Sequence, residues 1–272
     1  MSDFLKTMAI NSVERASAAK DTVQSSALDL AVYPLTLGNF DVIAEIKNRS
    51  PSEGALAHET SSRGERAITY AQAGAAAISV LTEPTQFGGE LAHLKEVVAA
   101  IEGTSVPVMR KDFLVDPIQI LEARAAGASG VLLIASMLAD EQLHDMLSCA
   151  YEHDLFVLLE SFGEDDLRRS VTLLAHSRHQ DQAEARKLLF GINTRDLRTL
   201  HVDPERLQLL GAHLPDGVAC VAESGLHDGD DVAAAASWGY SLALVGTALM
   251  RAADPGQLIH DMLEAGRERR AA

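Results

Sequence analysis

Read for its alternation of apolar and polar positions, the chain repeats one pattern eight times. Each repeat is a short apolar run, a polar or glycine-containing loop, and an amphipathic stretch at helical spacing. The apolar runs fall at 42–46, 76–81, 108–111, 130–134, 156–159, 188–192, 219–222 and 242–245. Helical periodicity occupies 63–73, 90–102, 117–126, 140–153, 164–175, 204–212, 228–238 and 255–266. Gly74, Gly127 and Gly239 precede the next run in AQAGAAAISV, ARAAGASGVLLI and SWGYSLALVG, where a left-handed residue ends a helix. Eight strand–helix units in about 230 residues predict an α/β protein built as a closed (β/α)8 barrel. An open doubly wound sheet is the alternative, but no glycine-rich dinucleotide fingerprint follows the first run.

Ahead of the first run, Phe4, Leu5, Met8, Ala9, Val13 and Ala16 recur at helical spacing. They predict an extra N-terminal helix over residues 3–20, packed on the body because it has a stripe to bury. Residues 1–40 are therefore read as a helical extension and 41–272 as a single barrel domain. The polar segment 177–187 (SRHQDQAEARK) lengthens the fifth unit and reads as a surface extension of its helix or return loop.

Composition narrows the function. The chain is 47% hydrophobic but only 4% aromatic, which suits a parallel sheet flanked by alanine-rich helices. A formal charge of −16 argues against a nucleic acid or an anionic membrane as partner, while a locally positive site can still take an anionic small molecule. Cys149 and Cys220 form neither a ligand cluster nor a disulfide framework. The opening MSDFLKTMAINS lacks the apolar core of a signal peptide, and no run approaches a membrane span. A soluble cytoplasmic protein is expected, as a monomer or weak homodimer. No metal or cofactor is expected, and the ten histidines, without ligand spacing, are expected to be solvated.

Candidate chemistry starts with VIAEIKNRSPSEG at 42–54. Side chains two apart on a strand share a face, so Glu45 and Lys47 project together before a turn carrying Ser50. In such barrels the site forms at the C-terminal strand ends. The other ends carry Thr82 and Glu83 with Phe87 in the following loop, Arg110-Lys111-Asp112-Phe113, Ala135-Ser136, Glu160-Ser161, Asn193-Thr194-Arg195-Asp196, Glu223-Ser224-Gly225 and Gly246-Thr247. Each residue alone has a plain reading: Lys111 paired with Glu160, Arg195 with Asp196, Glu223 with Lys47. Together, lysines and glutamates at one mouth supply proton donors and acceptors that tune each other. The Ser224-Gly225 and Gly246-Thr247 turns sit at adjacent strand ends before helical segments, where these barrels often bind phosphate, and Ser50 could add a hydroxyl.

The motifs IAEIKNRSPSEG, SVLTEPTQFGG, PVMRKDFLVDPIQILEARAAGA, LLES, GINTRDLRTLHVD, VAESGL and LVGTALMR occur in this order from Ile43 to Arg251. As a set they resemble the indole-3-glycerol phosphate synthase family of tryptophan biosynthesis. The resemblance implies a cofactor-free lyase that closes the indole ring of 1-(2-carboxyphenylamino)-1-deoxyribulose 5-phosphate, with loss of CO2 and water. It further implies Lys111 as the acid that polarises the ketone and Glu160 as base or cation stabiliser. Lys47, supported by Glu45, would bind substrate and assist decarboxylation or dehydration. Asn193 and Glu223 would hold the sugar hydroxyls and orient the lysines. Arg195 would face the anthranilate carboxylate, with Phe87 near the ring. Ser50, Ser224, Gly225, Gly246 and Thr247 would cradle the phosphate, and the N-terminal helix would lie over the barrel mouth. The chain departs from the family's habit at Glu53, at Ser161-Phe162 and at Thr247. A phosphosugar isomerase or Schiff-base aldolase, and a catalytically silent relative that only binds, are the competing readings.

Overall fold

The computed structural model describes residues 2–19, 23, 28–50, 54–55, 61–195, 201–203 and 205–271. Eight strands, all paired in parallel, close a barrel: β1 (Asp41–Ile46), β2 (Ala77–Leu81), β3 (Val108–Lys111), β4 (Gly130–Ile134), β5 (Phe156–Ser161), β6 (Leu188–Asn193), β7 (Cys220–Glu223) and β8 (Leu242–Val245). Every strand is buried on both faces except at Lys111. That is why the strands read as continuous apolar runs rather than alternating ones. β5 and β6 run past their apolar stretches to Ser161 and Asn193, so Glu160 and Asn193 are themselves strand residues. The ladder holds them more rigidly than a loop would.

The outer ring departs from the expected pattern in three places. Glu83 accepts the backbone N–H groups of Thr85, Gln86 and Phe87 and so caps a helical turn, Pro84–Phe87. In the fifth unit the helix expected over 164–175 is Glu164–Thr172 followed by a 3-10 turn at Leu173–Ala175. After an extended His176, the segment expected as a surface extension or return loop forms a separate helix, Ser177–Glu184. That last helix buries His179, whose ring stacks on His144. The expectation that the histidines are solvated is therefore wrong for His179. A short helix, Thr247–Arg251, also intervenes between β8 and Pro255–Ala271.

The N-terminal helix α1 (Asp3–Ala19) forms, but its inward stripe is Leu5, Met8, Ser12, Ala16 and Ala19. Val13, expected to face inward, is 55% exposed. Ser12 takes the inward place because it has a polar partner there: its Oγ accepts from Gln119 Nε2 at 2.8 Å. Arg15 donates to Asp112 Oδ1 at 2.7 Å, and Phe4 meets Phe113 edge-on with ring centroids 5.9 Å apart. These contacts tie α1 to the C-terminal end of β3.

Candidate active site

Alternation along β1 turns Glu45 inward, and Lys47 follows one step beyond the strand on the same side, with Nζ 2.7 Å from Glu45 Oε1. The pair lies against Gly246. A Cβ built there would come within 2.3 Å of Glu45 Oε1 and 2.8 Å of Lys47 Nζ. The glycine after β8 thus supplies the room in which the pair sits.

Across the barrel, registry aligns Glu160 with Gly191 and Asn193 with Glu223. Lys111, at the end of β3, reaches over to this group. Its Nζ donates to Glu223 Oε2 at 2.7 Å and to Glu160 Oε2 at 3.2 Å. The Lys111–Glu160 pairing read from the sequence is present, with Glu223 as a second acid. The Glu223–Lys47 pairing is not formed: Lys47 pairs with Glu45, and Lys111 with both Glu160 and Glu223. Asp196, the other suggested partner, lies outside the described residues.

Asn193 Oδ1 accepts the backbone N–H of Arg195 and the hydroxyl of Ser224, each at 2.9 Å. With its oxygen doubly engaged, the amide nitrogen is left as a donor. Ser224 holds φ +68°, a left-handed conformation uncommon for a side chain with a Cβ, and Gly225 follows at φ +75°. Arg195 forms an antiparallel bridge with Val202, and both line the mouth.

All of the residues singled out above as site residues, apart from Ser50, line one cavity of about 150 Å³ at the C-terminal end of the barrel: Glu45, Lys47, Phe87, Lys111, Glu160, Asn193, Arg195, Glu223, Ser224, Gly225, Gly246 and Thr247. Ser50 pairs through its backbone with Gly54, and its side chain lies outside the described residues, as does Glu53. Other polar strand-end residues do structural work. Arg110 is bound to Thr82, Asp112 and the Gln119 carbonyl, and Glu83 is the cap already described. One wall was missed. Leu132 and Ile134 of β4, with Phe113, present an apolar face to the cavity. For Leu132 and Ile134 the spacing of two along a strand is the available signal, which a continuous apolar run such as GVLLI hides.

The charges perturb one another. Burial opposes ionisation of Glu45, but Lys47, Lys111 and Arg195 together hold its carboxyl below the usual range. Burial likewise disfavours the Lys111 ammonium, yet Glu223, Glu160 and Glu45 outweigh it and push its pKa up. Burial raises Glu223 most; Lys111 pulls it down, Glu160 pushes it back, and it ends at about 8. A carboxyl raised from 4.5 to about 8 binds more protons folded than unfolded between those values. Its contribution to stability is therefore present at low pH and lost as pH rises through about 8. Glu223→Gln, which mimics the neutral acid, is expected to flatten the fall in thermal midpoint between about pH 5 and 9. An unchanged slope would place the titration elsewhere. Among the described residues no cluster of three or more His, Cys, Asp or Glu is arranged to hold a metal ion.

A family model described as indole-3-glycerol phosphate synthase matches residues 7–262. Curated relatives of that name include one from Parafrankia sp., 42% identical over 87% of this chain and 82% of its own length. Another, from Carboxydothermus hydrogenoformans, is 40% identical over 83% and 80%. Among solved structures, 3-hexulose-6-phosphate synthase from Salmonella typhimurium superposes with a TM-score of 0.62 at 16% identity, covering 85% of this chain and 100% of that one, a likeness of fold alone. With the family model spanning nearly the whole barrel and relatives matched over most of their length, the chain belongs to the indole-3-glycerol phosphate synthase family.

Proposed function

We propose that this cavity is where the family's decarboxylating ring closure takes place, and that Lys111 is its proton donor. The observation that carries the reading is the seating of one ammonium between two buried carboxylates, Glu160 and Glu223, at the end of a strand. As the anthranilate ring carbon attacks the ketone, negative charge grows on the ketone oxygen and needs a proton. Lys111 supplies it. Glu160 steadies the cation left on the ring or takes its proton. Lys47, held by Glu45, is the second ammonium, placed to assist the loss of CO2 or of water.

The rest of the cavity suits the remainder of the substrate. Phe87, Phe113, Leu132 and Ile134 offer an apolar slot for the aromatic ring, and Arg195 a planar fork for its carboxylate. The free amide nitrogen of Asn193 can donate to a sugar hydroxyl. The phosphate belongs at the Ser224-Gly225 turn and the first turn of Thr247–Arg251, whose amides have no acceptor within the helix. The helix after β7 is a poorer seat, because Asp228 already accepts from the amides of Asp230 and Asp231. The working unit is read as a monomer or a weak homodimer. The expected compartment is the cytoplasm, and the partner a small anionic molecule, with neither nucleic acid nor membrane.

Arg195 tests the carboxylate part of this reading, because lysine cannot reproduce the planar fork of its guanidinium. Arg195→Lys is expected to weaken substrate binding by roughly 1.5–3 kcal/mol, as for a lost hydrogen bond to a charged group. Binding of an analogue without the carboxylate should barely change. Equal losses for both ligands, or none for either, would remove Arg195 from carboxylate recognition.

A further inference from the structure

Glu223 Oε2 accepts from Lys111, whereas Oε1 is buried and, among the described residues, has no hydrogen-bond partner. What lies against Oε1 is the bare α-carbon of Gly191, opposite it in the middle of β6. A Cβ built on Gly191 would fall 2.1 Å from Glu223 Oε1, closer than atoms can approach, and 3.3 Å from its Cδ, a tight contact. This oxygen occupies the space that a side chain on Gly191 would fill.

We propose that Gly191 is a positioning residue: by lacking a side chain it opens the slot that seats the Glu223 carboxylate, and so sets the reach of Glu223 to Lys111. The inference rests on the proposed roles of Lys111 and Glu223. Gly191 does not line the cavity, so it acts through Glu223 and not on the substrate. Its backbone pairs with Glu160 and Val221 as ordinary parallel sheet, a conformation open to any residue. Alanine at this position therefore meets no backbone strain. The other atom it would crowd is Leu158 Cδ1 at 3.0 Å, the end of a flexible side chain, as is the Glu223 carboxylate. The strand can stay in place while the acid moves. Gly246 stands in the same relation to Glu45 and Lys47, so each lysine–glutamate pair has a glycine beneath it.

The test is a double-mutant cycle of Gly191→Ala with Glu223→Gln, read by steady-state indole fluorescence with substrate in excess. Gly191→Ala alone should keep its thermal midpoint within a few degrees and its KM nearly unchanged, while kcat falls by about 10- to 100-fold, the scale of a misplaced catalytic group. In the Glu223→Gln background the same change should cost less than about twofold, because residues acting through one another are non-additive. A normal kcat in Gly191→Ala, or the same fold-loss in both backgrounds, would overturn the proposal. A normal kcat in Glu223→Gln would instead remove Glu223 from the mechanism, and the seat beneath it would lose its catalytic meaning. A crystal structure of Gly191→Ala decides the geometry separately: the Glu223–Lys111 contact should lengthen beyond its 2.7 Å, and an unmoved carboxylate would sink the idea.

Discussion

Replacing Lys111 by alanine is expected to lower kcat by about 10²- to 10⁴-fold, the usual worth of a positioned general acid. KM should change only a few-fold, because phosphate, carboxylate and ring are held by other residues. The expectation rests on where the ammonium sits, within 3.2 Å of both Glu160 and Glu223 and at the rim of the cavity. Removing it leaves two buried carboxylates without their cation. Glu223, already pushed up by burial, responds by binding a proton rather than by unfolding the barrel. The variant should therefore fold, and its thermal midpoint should fall further below wild type at pH 9 than at pH 6. Near-normal kcat in a folded Lys111→Ala protein would remove this residue from the chemistry.

Glu160→Gln is expected to produce a loss of similar size, about 10²- to 10⁴-fold in kcat, for a different reason. The amide is nearly isosteric, and its oxygen can still accept from Lys111 Nζ, so the ammonium stays placed. What disappears is the negative charge and the ability to take a proton. A fall in kcat with little change in KM would mark an interaction made in the transition state, whereas a rise in KM alone would reduce Glu160 to substrate binding. The two variants should also differ in sign: Lys111→Ala deepens the loss of stability at high pH, whereas Glu160→Gln, which removes the acid that pushes Glu223 up, lessens it.

Much of this was legible in the sequence, for identifiable reasons. Doubly buried parallel strands produce apolar runs, so the eight units could be counted directly. Glu45 and Lys47 could be placed on one face because strand periodicity is two. What escaped notice had equally physical causes. In Arg110-Lys111-Asp112 every residue is charged, so alternation says that Lys111 opposes its neighbours but not which side faces the cavity. Packing decides it: Arg110 finds Thr82, the Gln119 carbonyl and Asp112 behind the strand. Glu83 was grouped with the site by its position, though the proline after it is a common first helical residue and points to a cap. In α1 the inward place went to Ser12 over Val13 because Gln119 offered a hydrogen bond, a long-range partner that no local pattern reveals. The seat beneath Glu223 was equally hidden. Gly191 reads as part of an ordinary apolar run, and only the folded register brings the carboxylate of β7 against it.

The central claim is that the β-strand ends of this one chain, through their own side chains, close the indole ring. The most direct measurement is to incubate the purified, chelator-treated protein with 1-(2-carboxyphenylamino)-1-deoxyribulose 5-phosphate and follow indole fluorescence and CO2 together. Multiple turnovers with one indole product and one CO2 per substrate consumed, and no added metal or cofactor, are expected. Substrate that binds but is returned unchanged, or indole that appears only when a metal or cofactor is restored, would contradict the account.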